Sequence, residues 1–261
     1  MDLGIFGKTA LVLGGAGGLG SAIAFALARE GASVVIADRD SQALDAVRER
    51  LVELQLDCHS IVWDLADLDA VDEKIASIES RLGTVDILIN NTGGPPPSAA
   101  HGLGAAVWRK HFEKMVQAPI AITDRVLPGM RAKRWGRVIT SASSGVIAPI
   151  PNLAVSNALR STLVGWSKSL AREVAADGVT ANIIVPGRIA TARIAFLDEQ
   201  KAKKEGKPVD AIAAESTASI PAGRYGRPDE YADMVTFLAS ERASYVTGTT
   251  IRVDGGLIAS I

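Results

Sequence analysis

A mostly apolar run of strand length, Thr9-Ala10-Leu11-Val12-Leu13, stops at Gly14-Gly15-Ala16-Gly17-Gly18-Leu19-Gly20. An Ala- and Leu-rich helical stretch follows at once over residues 18–30, closed by Gly31. Such a run suits a strand buried on both faces. A strand handed straight to a helix returns beside itself as a parallel partner. Glycine allows the tight turn between them and lets backbone approach a pyrophosphate, whose charge the N-terminus of the following helix favours. Two registers fit: Gly15, Gly17 and Gly20 satisfy G-x-G-x-x-G, and Gly14, Gly18 and Gly20 satisfy G-x-x-x-G-x-G.

The rhythm repeats along the chain. Further strands are predicted at 33–37, 60–63, 85–89, 137–140, 180–184 and Thr250–Val253, with helices near 41–54, 69–81, 105–132, 152–176 and 229–240. This alternation predicts a single α/β domain over 1–261, a Rossmann-type doubly wound parallel sheet with helices on both faces. One segment, about 188–224, breaks the rhythm and reads as a mobile insertion on the substrate side. Its Lys/Glu run at 198–205 reads as a solvated helix face.

Composition narrows the function classes. Lys and Arg number 28 against 29 Asp and Glu, so no electrostatic case exists for nucleic acid or an anionic membrane. The single Cys58 excludes an internal disulfide framework and a cysteine-rich metal site, and no metal is expected. Residues 1–8 lack a secretion signal and the apolar runs are too short to span a bilayer, which points to a cytoplasmic protein. Asp38 ends the second strand, 18 residues beyond Gly20, where a carboxylate would bond the adenosine ribose hydroxyls and repel a 2′-phosphate. That favours NAD. The adjacent Arg39 could instead cradle the phosphate of NADP.

These segments, with several more in order, resemble the short-chain dehydrogenase/reductase family over nearly the whole chain. The resemblance rests on Gly14-x-x-x-Gly18-x-Gly20, Asp64, Asn90-Asn91-Thr92-Gly93, and Gly136-Arg137-Val138 before a serine cluster. It continues in Asn182 ahead of Pro186-Gly187-Arg188-Ile189-Ala190-Thr191, Tyr245-Val246-Thr247-Gly248 and Val253-Asp254-Gly255-Gly256. It implies a nicotinamide cofactor held by Gly14, Gly18, Leu19, Gly20, Asp38, Arg39, Asp64, Leu65, Asn90, Gly93, Arg160, Pro186, Gly187, Ile189 and Thr191. Within that set Asp64 would sit by the adenine, Asn90 near the ribose, and Ile189 and Thr191 by the nicotinamide carboxamide. The Thr usual before the first glycine is Leu13 here, which removes one hydrogen bond bracing the loop.

The family's chemistry uses an Asn, a Ser and a Tyr-x-x-x-Lys pair, the lysine lowering the phenol's pKa so that it can shuttle a proton. By the same resemblance the serine is Ser143, with Ser144 adjacent. The tyrosine position, 13 residues on, is Ser156, the lysine position is Arg160 and the asparagine position is Met115. A hydroxyl on so short a side chain is no substitute for a phenol, and a guanidinium stays protonated. Tyr225, Tyr231 and Tyr245 read as packing residues. His59 falls at the far sheet edge, and of His101 and His111 the former, beside Gly94-Pro95-Pro96-Pro97, is the one worth testing as a proton donor. Arg160 and Arg188 could face an anionic substrate, or could bridge cofactor hydroxyls and stand in solvent respectively.

Two functions of different class follow. One is an NAD(P)-dependent oxidoreductase acting on a small alcohol/carbonyl pair, 3-oxoacyl- or sugar-like, with Ser143, Ser156 and Arg160 at the reacting carbons. The other is a catalytically silent dinucleotide-binding protein, with non-redox chemistry on the same scaffold as a third reading. The resemblance also implies a homo-oligomer, dimer or tetramer, pairing through the helices at 105–132 and 152–176.

Overall fold

Seven strands form one parallel sheet in the computed structural model, which describes residues 2–261. They are β1 (Thr9–Leu13), β2 (Ser33–Asp38), β3 (Cys58–Val62), β4 (Ile87–Asn90), β5 (Gly136–Ser141), β6 (Val179–Pro186) and β7 (Thr250–Val253). Their order across the sheet is β3-β2-β1-β4-β5-β6-β7. The helices are α1 (Gly18–Arg29), α2 (Ser41–Glu53), α3 (Val71–Leu82), α4 (Ala105–Phe112), α5 (Ala118–Lys133), α6 (Ala154–Val174), α7 (Ala192–Glu205), α8 (Val209–Ala218) and α9 (Pro228–Leu238).

Successive strand residues point to opposite faces, which sorts the core into two layers. Ala10 and Val12 of β1, with Val34 and Ile36 of β2, pack under Ile23 and Leu27 of α1, Leu44 and Leu51 of α2 and Val235 of α9. Leu11, Leu13, Val35 and Ala37 meet Ile75 and Ile78 of α3, Ile122 and Val126 of α5 and Leu170 and Val174 of α6. Burial on both faces is why these strands read as unbroken apolar runs. From β1 the chain winds outward to β3, then crosses back to place β4 on the other side of β1. The point of reversal leaves a crevice beyond the carboxyl ends of β1 and β4, where open α/β sheets bind ligands.

Two segments depart from the sequence reading. The helix predicted over 105–132 is divided by a π-helical turn at Glu113–Gln117. Pro119 follows that turn and has no N–H to donate to the Met115 carbonyl, so the regular ladder cannot run through it. The segment 188–224, read as an insertion, contains two regular helices, α7 and α8, with Gly206 at φ 65° turning the chain between them.

The start of α9 is fixed by Glu230. Its carboxylate accepts the backbone N–H of Arg227 at 2.7 Å and the Arg224 guanidinium at 2.8 and 2.6 Å. Arg224 and the Arg227 N–H together push that carboxyl down from 4.5 to about 2. A lowered acid stabilises the fold above its unfolded pKa and loses that contribution as pH falls through the folded one. Glu230→Gln should therefore lower Tm at pH 7, with the gap from wild type closing between pH 4.5 and pH 2 in a series of thermal melts.

Candidate active site

The crevice is a cleft of about 1650 Å³. Its floor is the glycine loop. Gly14 takes φ +60°, a conformation side chains rarely adopt, and a Cβ there would lie 2.6 Å from the Asn91 carbonyl. Gly17 precedes α1 without any side-chain cap, so the first N–H groups of the helix are left for a ligand. Gly18 passes beneath Thr191, whose Cγ2 would stand 2.9 Å from an added Cβ. The bracing that Leu13 cannot supply comes from Asn91, whose Nδ2 donates to the carbonyls of Leu13 (3.2 Å) and Gly14 (3.3 Å). Asn91 also lines the cleft.

Gly14, Gly18, Leu19, Asp38, Arg39, Asp64, Leu65, Gly93, Pro186, Gly187, Ile189 and Thr191 all border the cleft. The Asp38 carboxylate is held at the β2 end by the backbone N–H groups of Arg39 (2.8 Å) and Asp40 (3.4 Å). Asp64 likewise accepts from Ala66 N at 3.0 Å. Two expected cofactor contacts do not reach the cleft. Gly20 is buried behind the loop, where a Cβ would meet the Gly14 carbonyl oxygen at 2.1 Å, so it makes the loop possible without touching a ligand. Asn90 is 1% exposed and turned into the core, its Nδ2 donating to the hydroxyls of Thr123 (3.1 Å) and Thr140 (3.4 Å). It joins β4 to α5 and β5 because the last residue of a strand projects opposite to the next.

On the substrate side, Ser143, Ser144, Ser156 and Arg160 line one wall. The Ser143 hydroxyl accepts the Gly145 N–H at 3.2 Å and caps the short 3-10 turn Ser144–Val146. Ser156 and Arg160 stand one turn apart on the buried face of α6. Arg160 is 6% exposed and donates to the carbonyls of Ser141 (2.8 Å) and Thr92 (2.7 Å). Burial pushes its pKa down to about 10, which leaves it protonated at neutral pH. Met115 is fully buried in an apolar cluster with Val155, Leu159 and Leu163 and presents nothing polar. The preceding residue, Lys114, lines the cleft, and sequence reasoning missed it.

None of the three tyrosines and none of the three histidines borders the cleft. Tyr231 comes nearest, its hydroxyl 2.8 Å from Ser141 Oγ, but it is wholly buried in the α9 layer and burial raises its pKa well above the ordinary phenol value. Tyr225 donates to Asp198 at 2.6 Å and Tyr245 is fully exposed. His101, singled out for a proton-donor role, lies outside the cleft wall. Arg188 borders the cleft as well, with its Nη1 paired to buried Asp198 at 2.7 Å. The triple proline does form wall: Pro96 and Pro97 line the cleft, and the Pro95 carbonyl accepts Arg193 from α7 at 2.7 Å.

A glycine cradle, a capless helix end and a carboxylate at the second strand fit a nicotinamide dinucleotide. Comparison with known proteins agrees. The family model described as Enoyl-(Acyl carrier protein) reductase matches residues 14–258. The chain is 36% identical over 254 residues to the 3-oxoacyl-acyl-carrier-protein reductase FabG of Escherichia coli (strain K12), covering 96% of this chain and 97% of that one. Among solved structures it is similar to the L-sorbose reductase of Gluconobacter frateurii in complex with NADPH and L-sorbose (TM-score 0.94, 32% identity, 100% of both chains). It is also similar to YwfH, an NADPH dependent reductase involved in bacilysin biosynthesis (TM-score 0.92, 30% identity, 97% of this chain and 99% of the other).

Proposed function

Because this chain belongs to the short-chain dehydrogenase/reductase family, we propose that it is an NAD(P)-dependent oxidoreductase of a small alcohol/carbonyl pair, 3-oxoacyl- or sugar-like, working with a serine and an arginine where a phenol and an ammonium are usual. The observation that carries this reading is the open cleft, with its glycine floor and uncapped α1 on one side and Ser143, Ser156 and Arg160 on the other. The bound nicotinamide supplies the hydride. Gly14, Gly18 and Leu19 hold the pyrophosphate on backbone N–H groups, and Asp38 takes the adenosine ribose hydroxyls. Ser143 donates a hydrogen bond to the substrate oxygen. Arg160, with only two of its five N–H groups bonded within the protein, holds further oxygens beside it. Ser156 leaves the volume of a phenol ring open, and a water held there and on Ser143 would deliver the proton, the hydroxide left behind being reprotonated by solvent through the open cleft. Replacing a positioned acid by water costs ~10²–10⁴ in rate, so turnover is slow. Small exposed residues on α6, among them Ser161, Thr162 and Gly165, leave that helix face free for the pairing of subunits into a homo-oligomer.

The absence of a tyrosine from the cleft wall gives the silent dinucleotide-binding protein its standing as a second reading. Fluorescence titration with NADH and NADPH, read through Trp63 in the cleft wall, tests the cofactor half. Hydride transfer to 3-oxoacyl and ketose substrates tests the other. Saturable quenching with no transfer to any carbonyl selects the second reading, and no quenching overturns both. In the same titration NADH should bind more tightly than NADPH, and Asp38→Ser should improve NADPH binding by about tenfold, equivalent to ~1.4 kcal/mol of removed charge repulsion. Unchanged NADPH affinity would assign selectivity to Arg39 instead.

A further inference from the structure

The substrate side of the cleft carries positive charge that the protein does not balance. Arg160, nine-tenths buried, donates only to two backbone carbonyls. Arg193, at the start of α7, donates only to the Pro95 carbonyl, three residues along the same loop from Thr92, which Arg160 holds. Lys114 enters from the π-helical turn on the α6 side and makes no hydrogen bond or ion pair among the described residues. No carboxylate oxygen lies within 4.0 Å of any of the three among the described residues. Glu205, the acid that α7 adds to the cleft wall, is engaged by Lys201 and Lys207 at 3.8 and 3.2 Å. Of the other cations that border the cleft from this segment, Arg188 pairs with Asp198 and Lys201 with Glu205 and Glu215, while Lys204 is exposed on α7.

Burying a guanidinium such as that of Arg160 without an anion is costly, and the half-buried charge of Arg193 adds to that cost. Burial lowers the pKa of both arginines, and the charge of Arg193 further depresses that of Arg160. The helix end that receives a pyrophosphate lies elsewhere, at Gly17–Gly18. What is left for these cations is a charge brought by the substrate, and the planar fork of Arg193 suits bidentate contact with a carboxylate or phosphate.

We infer that the substrate is a carbonyl compound bearing an anionic group, carboxylate or phosphate, which Arg193 grips with Arg160 and Lys114 beside it. This rests on the oxidoreductase reading and narrows it to a substrate class. Arg193 is then the residue that selects it, and α7 carries it to the site.

The test measures binding to the full-length protein saturated with NAD⁺ or NADP⁺, which cannot reduce a ketone, by calorimetry. The probes are matched pairs: 5-oxogluconate against L-sorbose, and acetoacetate against methyl acetoacetate, with fructose 6-phosphate against fructose to separate phosphate from carboxylate. The charged member of at least one pair should bind about tenfold or more tightly, as a charge-assisted bond implies. Arg193→Leu should abolish that advantage, and Arg193→Lys should keep part of it. Lys114→Met serves as a second variant should the arginine substitution impair folding, and should reduce the advantage about threefold. Equal binding of charged and neutral members overturns the inference, as does an advantage that survives Arg193→Leu. It is also overturned if Arg193→Leu weakens the dinucleotide and not the anion. Selective anion binding without turnover under NADH or NADPH keeps the anion site at Arg193 and removes the oxidoreductase reading, so the two fail separately.

Discussion

Turnover of the best carbonyl substrate should rise ~10²-fold or more when Ser156→Tyr and Arg160→Lys are combined. Ser156 and Arg160 share one face of α6, one turn apart, and both border the cleft beside Ser143. A phenol at 156 would therefore emerge next to Ser143, the hydroxyl proposed to hold the substrate oxygen, with an ammonium one turn below to lower its pKa. The exchange at 160 has its own cost, because a lysine cannot reproduce the simultaneous bonds to Ser141 and Thr92. Single Ser156→Tyr should therefore gain less than the pair. Adding Met115→Asn is the least favourable step, since it buries an amide among Val155, Leu159 and Leu163, at ~1–3 kcal/mol if unpaired. Tm and kcat measured on all three variants separate folding from chemistry. A double variant that folds and still shows no more hydride transfer than wild type would mean that these positions do not limit the reaction.

Gly20→Ala should abolish dinucleotide binding and destabilise the whole fold. An added Cβ would stand 2.1 Å from the Gly14 carbonyl oxygen and 2.8 Å from its carbon, and backbone cannot swing aside as a side-chain tip can. The loop must move off α1, which brings overpacking costs of ~1–3 kcal/mol and loss of the N–H cradle. Gly18→Ala meets only the Thr191 side chain, at 2.9 Å from Cγ2, so it should weaken NAD(P)H binding while leaving Tm nearly unchanged. Gly17→Ala, whose Cβ finds only the Gly14 carbonyl at 3.4 Å, should leave Tm unchanged as well. Thermal melts and fluorescence titration of the three variants check this order. A Gly20→Ala protein that melts and binds like wild type would show that the close packing behind the loop is dispensable.

Much of this was legible in the chain itself. Six helices and all seven strands announce themselves through local patterns, because a strand buried on two faces leaves a short apolar run and a helix leaves a 3.6-residue stripe. The π-helical turn was not legible: Pro119 marks a break, but a widened turn and a simple kink leave the same trace. Within 188–224 only the Lys/Glu run at 198–205 read as a helix face; the rest of α7 and all of α8 were not legible, because exposed polar faces look alike in helix and loop.

What the sequence by itself determined is the kind of molecule: a doubly wound sheet with a dinucleotide loop at its first turn, to which family resemblance adds the expectation that serine, arginine and methionine stand at three of the four usual catalytic positions. Those are statements about residue type at a given place along the chain, and spacing encodes them. The tertiary structure alone decided which groups face the cleft. Asn90 and Asn91 are neighbours, yet one knits the core and the other staples the loop, because strand geometry turns adjacent side chains to opposite sides. Arg188 and Arg193 differ by five positions, yet one is neutralised by Asp198 and the other reaches a carbonyl 98 residues away. No local pattern records a contact of that length; it exists only once the sheet has brought the two segments to the same edge.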